Sequence, residues 1–469
     1  MNYSIEKITQ FINADRYGDA AASISFLLTD SRSLCFPEET LFFALKSDRN
    51  DGHHYIPELY RRGVHNFVVE SVPDNFSTLY THANFLKVSN TLVALQQLTT
   101  HHRKAFDIPV VGITGSNGKT MVKEWLSQLL SYDRNVTRSP KSYNSQIGVP
   151  LSVWLLNESS QIGLIEAGIS KVGEMQALHD IILPTVGVLT SLGAAHQENF
   201  SSLEEKCNEK LLLFKGTQAL VYQLDDKIAA KCITAAHYDG QLLAWSEHDT
   251  TAAFYVNSIE KHETTSTINY IWQQTTQGSY TLPFIDDASI SDSITCAVVA
   301  LHFGVQPDVL AQRMAVLEPV AMRLEVKEGQ HGCTLINDSY NSDINSLDIA
   351  LDFMNRRPDQ KRRERTLILS DIYQSGETEQ QLYADVAALV KERGVKKFIG
   401  IGTALGRQQQ AFEGLETKYF FDNINDFIGS KVFKSLHDEV ILLKGARSFG
   451  FDKLTELLVK KVHETVLEV

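Results

Sequence analysis

Seven consecutive residues, Thr114-Gly115-Ser116-Asn117-Gly118-Lys119-Thr120, are of the types that hold a polyphosphate. Glycines let the backbone approach closely and aim its N–H groups inward. The lysine neutralises β/γ-phosphate charge, and the threonine hydroxyl can hold Mg2+. An apolar run, residues 108–113, leads in, and MVKEWLSQLL, with helical spacing, follows. The strict spacing of such loops would put the first glycine at position 113, which is Ile113; Gly112 comes one place early, so the loop is a variant. Taken alone, the same residues also suit an ordinary glycine turn.

A second candidate is Glu166, inside the apolar run IGLIEAGI (162–169). A carboxylate there is costly unless it is paired or bound to metal, so a metal ligand and a buried salt bridge both remain open. The run TVGVLTSL (185–192) is followed by Gly193 and then His196, and the next helix carries Lys206, Lys210 and Lys215. In open parallel sheets ligands gather at the carboxyl ends of strands, where Glu166 and His196 fall. Whether they meet Lys210 depends on a strand order that the sequence leaves open.

The elements that must position these groups divide the chain into three stretches. Residues 1–105 read as a small mixed α/β unit, with strands over 39–45 and 66–69 and helices over 56–63 and 90–106. The pair His101-His102 faces two ways on a helix and reads as a solvated helix end, not a metal site. Residues 106–320 alternate strand and helix, which predicts a mostly parallel sheet. Within them, 253–283 reads as an antiparallel ribbon, followed by helices over 288–303 and 307–317. Residues 321–469 form a second open, Rossmann-like α/β unit with strands at 333–338, 366–371, 397–401 and 439–444. Asp338, Asp371 and Lys444 fall at strand ends, where a cleft would lie.

Bulk properties set limits. A chain of 469 residues exceeds one core. A net charge of −13 argues against nonspecific nucleic-acid binding. Five scattered cysteines without CxxC spacing suit a reducing cytoplasm and give neither a disulfide framework nor a zinc signature. The N-terminus lacks a signal peptide's apolar core, and no run is long enough to span a membrane. From the residues alone, the middle unit binds a nucleoside triphosphate with Mg2+, and a hydrolase or a kinase could be built on that.

The chain also resembles the Mur ligase family over nearly its whole length. The resemblance rests on TDSR (29–32) and LFFALKSDRNDGHHY (41–55); on TGSNGKT (114–120), SYNSQIGVPL (142–151), EAGISKVGEM (166–175), AHQENF (195–200) and EKLLLF (209–214); and on RLEV (323–326), NDSYNSD (337–343), LSDIYQSGE (369–377) and LLKGARSF (442–449). TGSNGKT marks the superfamily, which includes folylpolyglutamate synthases. The DSR and NDSYN runs point to the branch that joins D-alanyl-D-alanine to a UDP-N-acetylmuramoyl tripeptide in cytoplasmic peptidoglycan precursor synthesis. The variant loop is itself the form these ligases use.

The resemblance implies an ATP- and Mg2+-dependent amide ligase of three domains. The tripeptide carboxylate would attack the γ-phosphate to give an acyl phosphate, which the dipeptide amine then attacks. It further implies that residues 115–118 cradle phosphate, that Lys119 binds the β/γ-phosphates, and that Thr120 and Glu166 hold one Mg2+. His196 and Lys210 would help hold a second. That lysine is carbamylated in the family, which turns a cation into an anionic ligand; Lys206 is the fallback position. Asn144 would support the nucleotide, Arg323 and Asp338 would reach ATP from the third unit, and Asp30, Ser31 and Arg32 would lie at the uridine-diphosphate end. For Arg32 a structural salt bridge is the competing reading. Two departures stand out: Ser289 and Asp292 where the family often has an asparagine pair near adenine, and Ser145 in place of a second asparagine. The ending KKVHETVLEV resembles the junction to a fused alanine racemase, so a racemase portion in the parent chain is an expectation. The rival readings are a folylpolyglutamate synthase-like ligase and a catalytically inactive nucleotide-binding module.

Overall fold

Runs with valine, isoleucine and leucine at nearly every position form strands buried on both faces, and the middle of this chain is built from them. Val110–Thr114, Ile162–Glu166 and Val186–Leu189 are buried at every residue. The computed structural model describes residues 2–47, 50–193, 199–320, 324–339, 342–356, 363–372, 378–446 and 449–460. His196, Arg323 and residues 461–469, which carry most of the racemase-like ending, lie outside the described residues.

The central sheet has nine strands, in the order Val136–Arg138, Ile162–Glu166, Val110–Thr114, Val186–Leu189, Ala219–Gln223, Gln241–Ser246, Phe254–Lys261, Ser266–Trp272 and Thr276–Leu282. The first seven run parallel and the last three form the antiparallel ribbon. The loop-bearing strand therefore lies between the strand of Glu166 and the strand that leads toward His196. One face packs on helices Lys119–Leu130 and Asp287–His302 through Trp125, Ile294 and Val298. The other packs on helices that include Met175–Ile182, Leu203–Leu211 and Lys227–Ala235, through Leu178, Cys207 and Ile233.

A five-stranded sheet precedes it, in the order Asp15–Tyr17, Asn84–Lys87, Asn66–Val69, Thr40–Phe43 and Phe26–Leu28, antiparallel only at the first pair. A six-stranded sheet follows, in the order Glu325–Glu328, Thr334–Asp338, Glu439–Lys444, Glu364–Ser370, Lys397–Ile401 and Thr417–Phe421. It is parallel except at its first pair. Asp371, just beyond its strand, accepts from the N–H groups of Ala404 (3.1 Å) and Leu405 (2.9 Å), so its carboxylate caps the helix Thr403–Arg407 after the neighbouring strand.

The expectation for His101-His102 needs correcting. Asn90 caps helix Thr91–Arg103 as predicted, accepting from the Val93 N–H at 2.9 Å. At its far end His101 stacks on Phe11, but His102 is buried in the seam between the first and central units. Its Nε2 lies 2.9 Å from the Leu156 carbonyl, which can only accept, so Nε2 carries the proton. Nδ1 then accepts from the Tyr3 hydroxyl at 3.0 Å. Trp154, from the central unit, stacks against His102 and donates its Nε1–H to the Ser25 carbonyl at 2.9 Å. A helix whose apolar face covers such a seam buries the histidine along with it.

Burial pushes the His102 pKa down from 6.5 to about 4. Between those values the unfolded chain holds the proton and the folded one does not. Stability is thus fully present above pH 6.5 and falls toward pH 4, by roughly 3 kcal/mol at the limit. Melting temperature should fall through that window in the wild type and fall less steeply in His102→Gln; identical slopes would contradict the assignment.

Candidate active site

The glycine loop leaves the end of the Val110–Thr114 strand and enters helix Lys119–Leu130 through Gly118 in the left-handed region (φ 83°). A methyl group at Gly118 would overlap the Asp292 carboxylate, and one at Gly115 would overlap the Thr190 hydroxyl. The segment after the Val186–Leu189 strand clasps the loop. Ser116 N–H donates to the Ser191 carbonyl (2.6 Å), Thr190 Oγ1 donates to the Asn117 carbonyl (2.5 Å), and Gly193 N–H donates to Ser116 Oγ (2.9 Å). These hydrogen bonds set the shape of the loop, and only glycine fits where its backbone passes Thr190 and Asp292.

Glu166 ends the neighbouring strand and is buried. Its Oε2 accepts from Thr120 Oγ1 at 3.0 Å and its Oε1 from Asn144 Nδ2 at 2.7 Å. Ser142 Oγ lies 2.9 Å from Thr120 Oγ1. Thr120, Glu166 and Asn144, singled out from sequence, thus meet in one cluster of hard oxygen donors and their support. A hydroxyl beside a carboxylate, facing a phosphate cradle, suits Mg2+, which takes oxygen ligands and keeps part of its shell on phosphate. Asn144 here orients the carboxylate.

Three lysines surround the loop. Lys119 Nζ donates to the carbonyls of Gly115 and Ser116, both at 2.9 Å. Lys206 Nζ donates to the Gly193 carbonyl at 2.6 Å, and buried Lys210 Nζ to the Gly115 carbonyl at 3.0 Å. Burial pushes the Lys210 pKa well below its usual range, and the charges of Lys119 and Lys206 push it the same way. Both effects disfavour the charged form of this lysine. Thr114 Oγ1, one residue before the carbonyl that Lys210 meets, is buried without a hydrogen-bond partner. Among the described residues no three His, Cys, Asp or Glu side chains cluster as a metal site.

A cavity of about 650 Å³ opens in front of the loop. Thr120, Glu166, Asn144, Lys210 and Asp292 line it from the central unit, Asp338 and Lys444 from the third. Asp338 and Lys444 stand opposite each other at the ends of adjacent parallel strands, and Lys444 Nζ donates to Asp338 Oδ2 at 2.7 Å in a buried ion pair. Asp338, a candidate from sequence, thus faces the loop with its charge already paired.

Asp30, Ser31 and Arg32 are elsewhere. They open the short 3-10 helix Ser31–Ser33 of the first unit, and Asp30 accepts from Arg32 Nε at 2.9 Å. That contact holds the Asp30 carboxyl below its usual range. Arg32 is exposed, so the pair is a surface ion pair of little net worth, open to competition from an anion. Of the departures, Ser289 sits in the first turn of helix Asp287–His302, where its N–H donates to Asp286 (2.8 Å), Ser145 Oγ accepts from the Gly148 N–H (3.1 Å), and Asp292 lies over Gly118. Sequence reasoning missed Lys123, four residues after Lys119 and so on the same helix face, which is buried behind Glu166. That i, i+4 relation was the available signal.

A family profile described as the Mur ligase middle domain matches residues 113–300. The UDP-N-acetylmuramoyl-tripeptide–D-alanyl-D-alanine ligase of Bacillus subtilis (strain 168) is 26% identical over 455 residues, covering 92% of this chain and 92% of its own. Over nearly its full length the chain is thus similar to ligases of the Mur family. Among solved structures, a MurF from Acinetobacter baumannii superposes with a TM-score of 0.82 at 21% identity, covering 97% of this chain and 99% of its own. A MurF ligase from Thermotoga maritima in complex with ADP gives 0.74 at 21% identity, covering 92% and 96%. The Mur ligase fold, three α/β units with mostly parallel sheets, is thus the fold of this chain. Among the described residues no helix is long and apolar enough to cross a membrane.

For this loop, Gly118→Ala should weaken ADP binding at least tenfold by titration calorimetry, since the added methyl meets Asp292 and the left-handed φ costs about 1–2 kcal/mol in any other residue. Unchanged affinity would mean that the loop does not cradle phosphate.

Proposed function

We propose that this chain is the ATP-dependent, ADP-forming ligase that adds D-alanyl-D-alanine to UDP-N-acetylmuramoyl-tripeptide in cytoplasmic peptidoglycan precursor synthesis. The observation that carries it is full-length likeness to ligases of that name, joined to one cavity in which the glycine loop faces the third unit's strand ends. Residues 1–105 hold the UDP substrate, with Asp30, Ser31 and Arg32 at its diphosphate end. Residues 106–320 hold ATP, and residues 321–469 close on it, with Asp338 and Arg323 reaching the nucleotide.

A carboxylate is a poor acyl donor, because its leaving group would be oxide. The tripeptide carboxylate oxygen attacks the γ-phosphorus and ADP leaves. The dipeptide amine then attacks the acyl carbon, the C–O bond breaks, and phosphate departs with the bridging oxygen as the amine gives up its proton. Residues 115–118 orient the phosphates, and Lys119 moves from its loop carbonyls onto the β/γ-oxygens. Catalysis is positioning and charge neutralisation. Thr120 and Glu166 would hold Mg2+, which would supply positive charge at the transferring phosphate.

Lys210 would add, as a neutral amine, to CO2, forming an N–C bond and releasing one proton. The carbamate, with His196, would hold a second Mg2+ near Gly115, whose neighbour Thr114 has a buried hydroxyl without a hydrogen-bond partner. What supports this is the depressed Lys210 pKa together with the orphaned hydroxyl.

The test is phosphate release from ATP and Mg2+ with UDP-muramoyl-tripeptide, with and without D-alanyl-D-alanine. Turnover should require the dipeptide and fall by at least 1000-fold in Lys119→Ala; dipeptide-independent turnover, or turnover on folate and glutamate, would overturn the reading. Lys210→Ala should lose at least tenfold and recover in part with added short carboxylates, and failure of every such acid would remove the carbamate.

A further inference from the structure

Lys123 has no part in the mechanism above, yet it is completely buried, one turn along from the loop lysine. Its Nζ donates to the Ser139 carbonyl at 2.8 Å and to the Lys141 carbonyl. It lies 3.0 Å from Glu124 Oε1 and 3.9 Å from Glu166 Oε2. It thus bridges two things that must keep register: the carboxylate at the strand end, and the 139–144 segment that carries Ser142 onto Thr120 and Asn144 onto Glu166. The Ser139 hydroxyl also accepts from the Glu166 N–H at 3.1 Å, so the segment grips Glu166 at both backbone and side chain.

We propose that Lys123 is a positioning residue for metal-nucleotide binding, fixing Glu166 through its charge and Asn144 and Ser142 through the 139–141 carbonyls. This rests on the assignment of Thr120 and Glu166 to the metal, and it goes beyond it by naming the group that holds them. Charge matters here because both partners are out of water. A buried carboxylate next to a buried ammonium is barely screened by salt, and losing the ammonium leaves the carboxylate drawn toward other donors. Glu124 holds Lys123 from the far side, and Arg138 Nε in turn donates to Glu124 Oε2 at 2.9 Å, so Lys123 is fixed from both ends.

Two variants separate positioning by charge from mere packing. Lys123→Met removes both the charge and the donor; Lys123→Gln keeps an amide donor for the carbonyls but no charge. Mn2+ binding to the ADP-bound enzyme, read by electron paramagnetic resonance, should weaken at least tenfold in both variants. ADP affinity without metal should change less than threefold, which shows that each variant is folded. Combining Lys123→Gln with Glu166→Gln should weaken Mn2+ binding no further than Glu166→Gln alone, because Lys123 acts through that carboxylate. Wild-type Mn2+ affinity in Lys123→Gln would overturn the proposal, as would multiplicative losses in the double variant. Failure of both single variants to fold would assign Lys123 to stability alone and overturn it too. If Glu166→Gln itself leaves Mn2+ binding unchanged, the metal assignment has failed and the proposal goes with it; the wild-type steady-state assay with the dipeptide tests the ligase reading separately.

Discussion

Glu166 is a carboxylate at the end of a strand buried on both faces, and the site is arranged around keeping it there. Unpartnered, such a group costs several kcal/mol. Here Thr120 and Asn144 each donate to one oxygen while Lys123 stands behind. The partners come from two elements: Thr120 and Lys123 from successive turns of the loop helix, and Asn144 from the segment after the Val136–Arg138 strand. Satisfying one carboxylate therefore locks the glycine loop, the central strands and the 139–144 segment into a single geometry. The hydroxyl that satisfies the carboxylate also stands beside the loop, so the structural need and the proposed metal site share atoms.

The same constraint recurs across the cavity. Asp338 and Lys444 are buried on adjacent strands and neutralise each other. A charge pair of this kind gains little net stability, yet breaking it by removing one partner costs about 3–5 kcal/mol. Both pairings hold polar groups at strand ends facing one space, with the lysine cluster between them held by loop carbonyls. Those carbonyls are weak partners compared with phosphate oxygens, so an arriving triphosphate exchanges charge–dipole contacts for charge–charge ones. That exchange is the physical basis for binding ATP at a loop already shaped.

Where sequence pattern and physical role coincide, the sequence was enough. The loop's glycines and Lys-Thr pair, the Asn90 cap, and the strands Asn66–Val69, Lys397–Ile401 and Glu439–Lys444 all fall where residue type and spacing put them. Strands such as Val136–Arg138, Thr417–Phe421 and Glu325–Glu328 are edge strands with partly polar sequences, so alternation was too weak to reveal them. The burial of His102 and Lys123 was hard to read for a common reason: their types favour solvent, and only packing against another unit or another strand end buries them. Asp371 shows the converse, since its position at a strand end matched a ligand site while its carboxylate was needed to cap a helix. Strand order, which brings Glu166 beside the loop, depends on long-range pairing that no local pattern contains.

The central claim is that the loop activates a carboxylate and does not simply hydrolyse ATP. Preparing the UDP-muramoyl-tripeptide with 18O in its terminal carboxylate and analysing the released phosphate by mass spectrometry tests it directly. The account predicts one 18O atom carried from the substrate into each phosphate released during dipeptide-dependent turnover. Phosphate free of substrate oxygen, acquiring its label only from 18O-water, would contradict it.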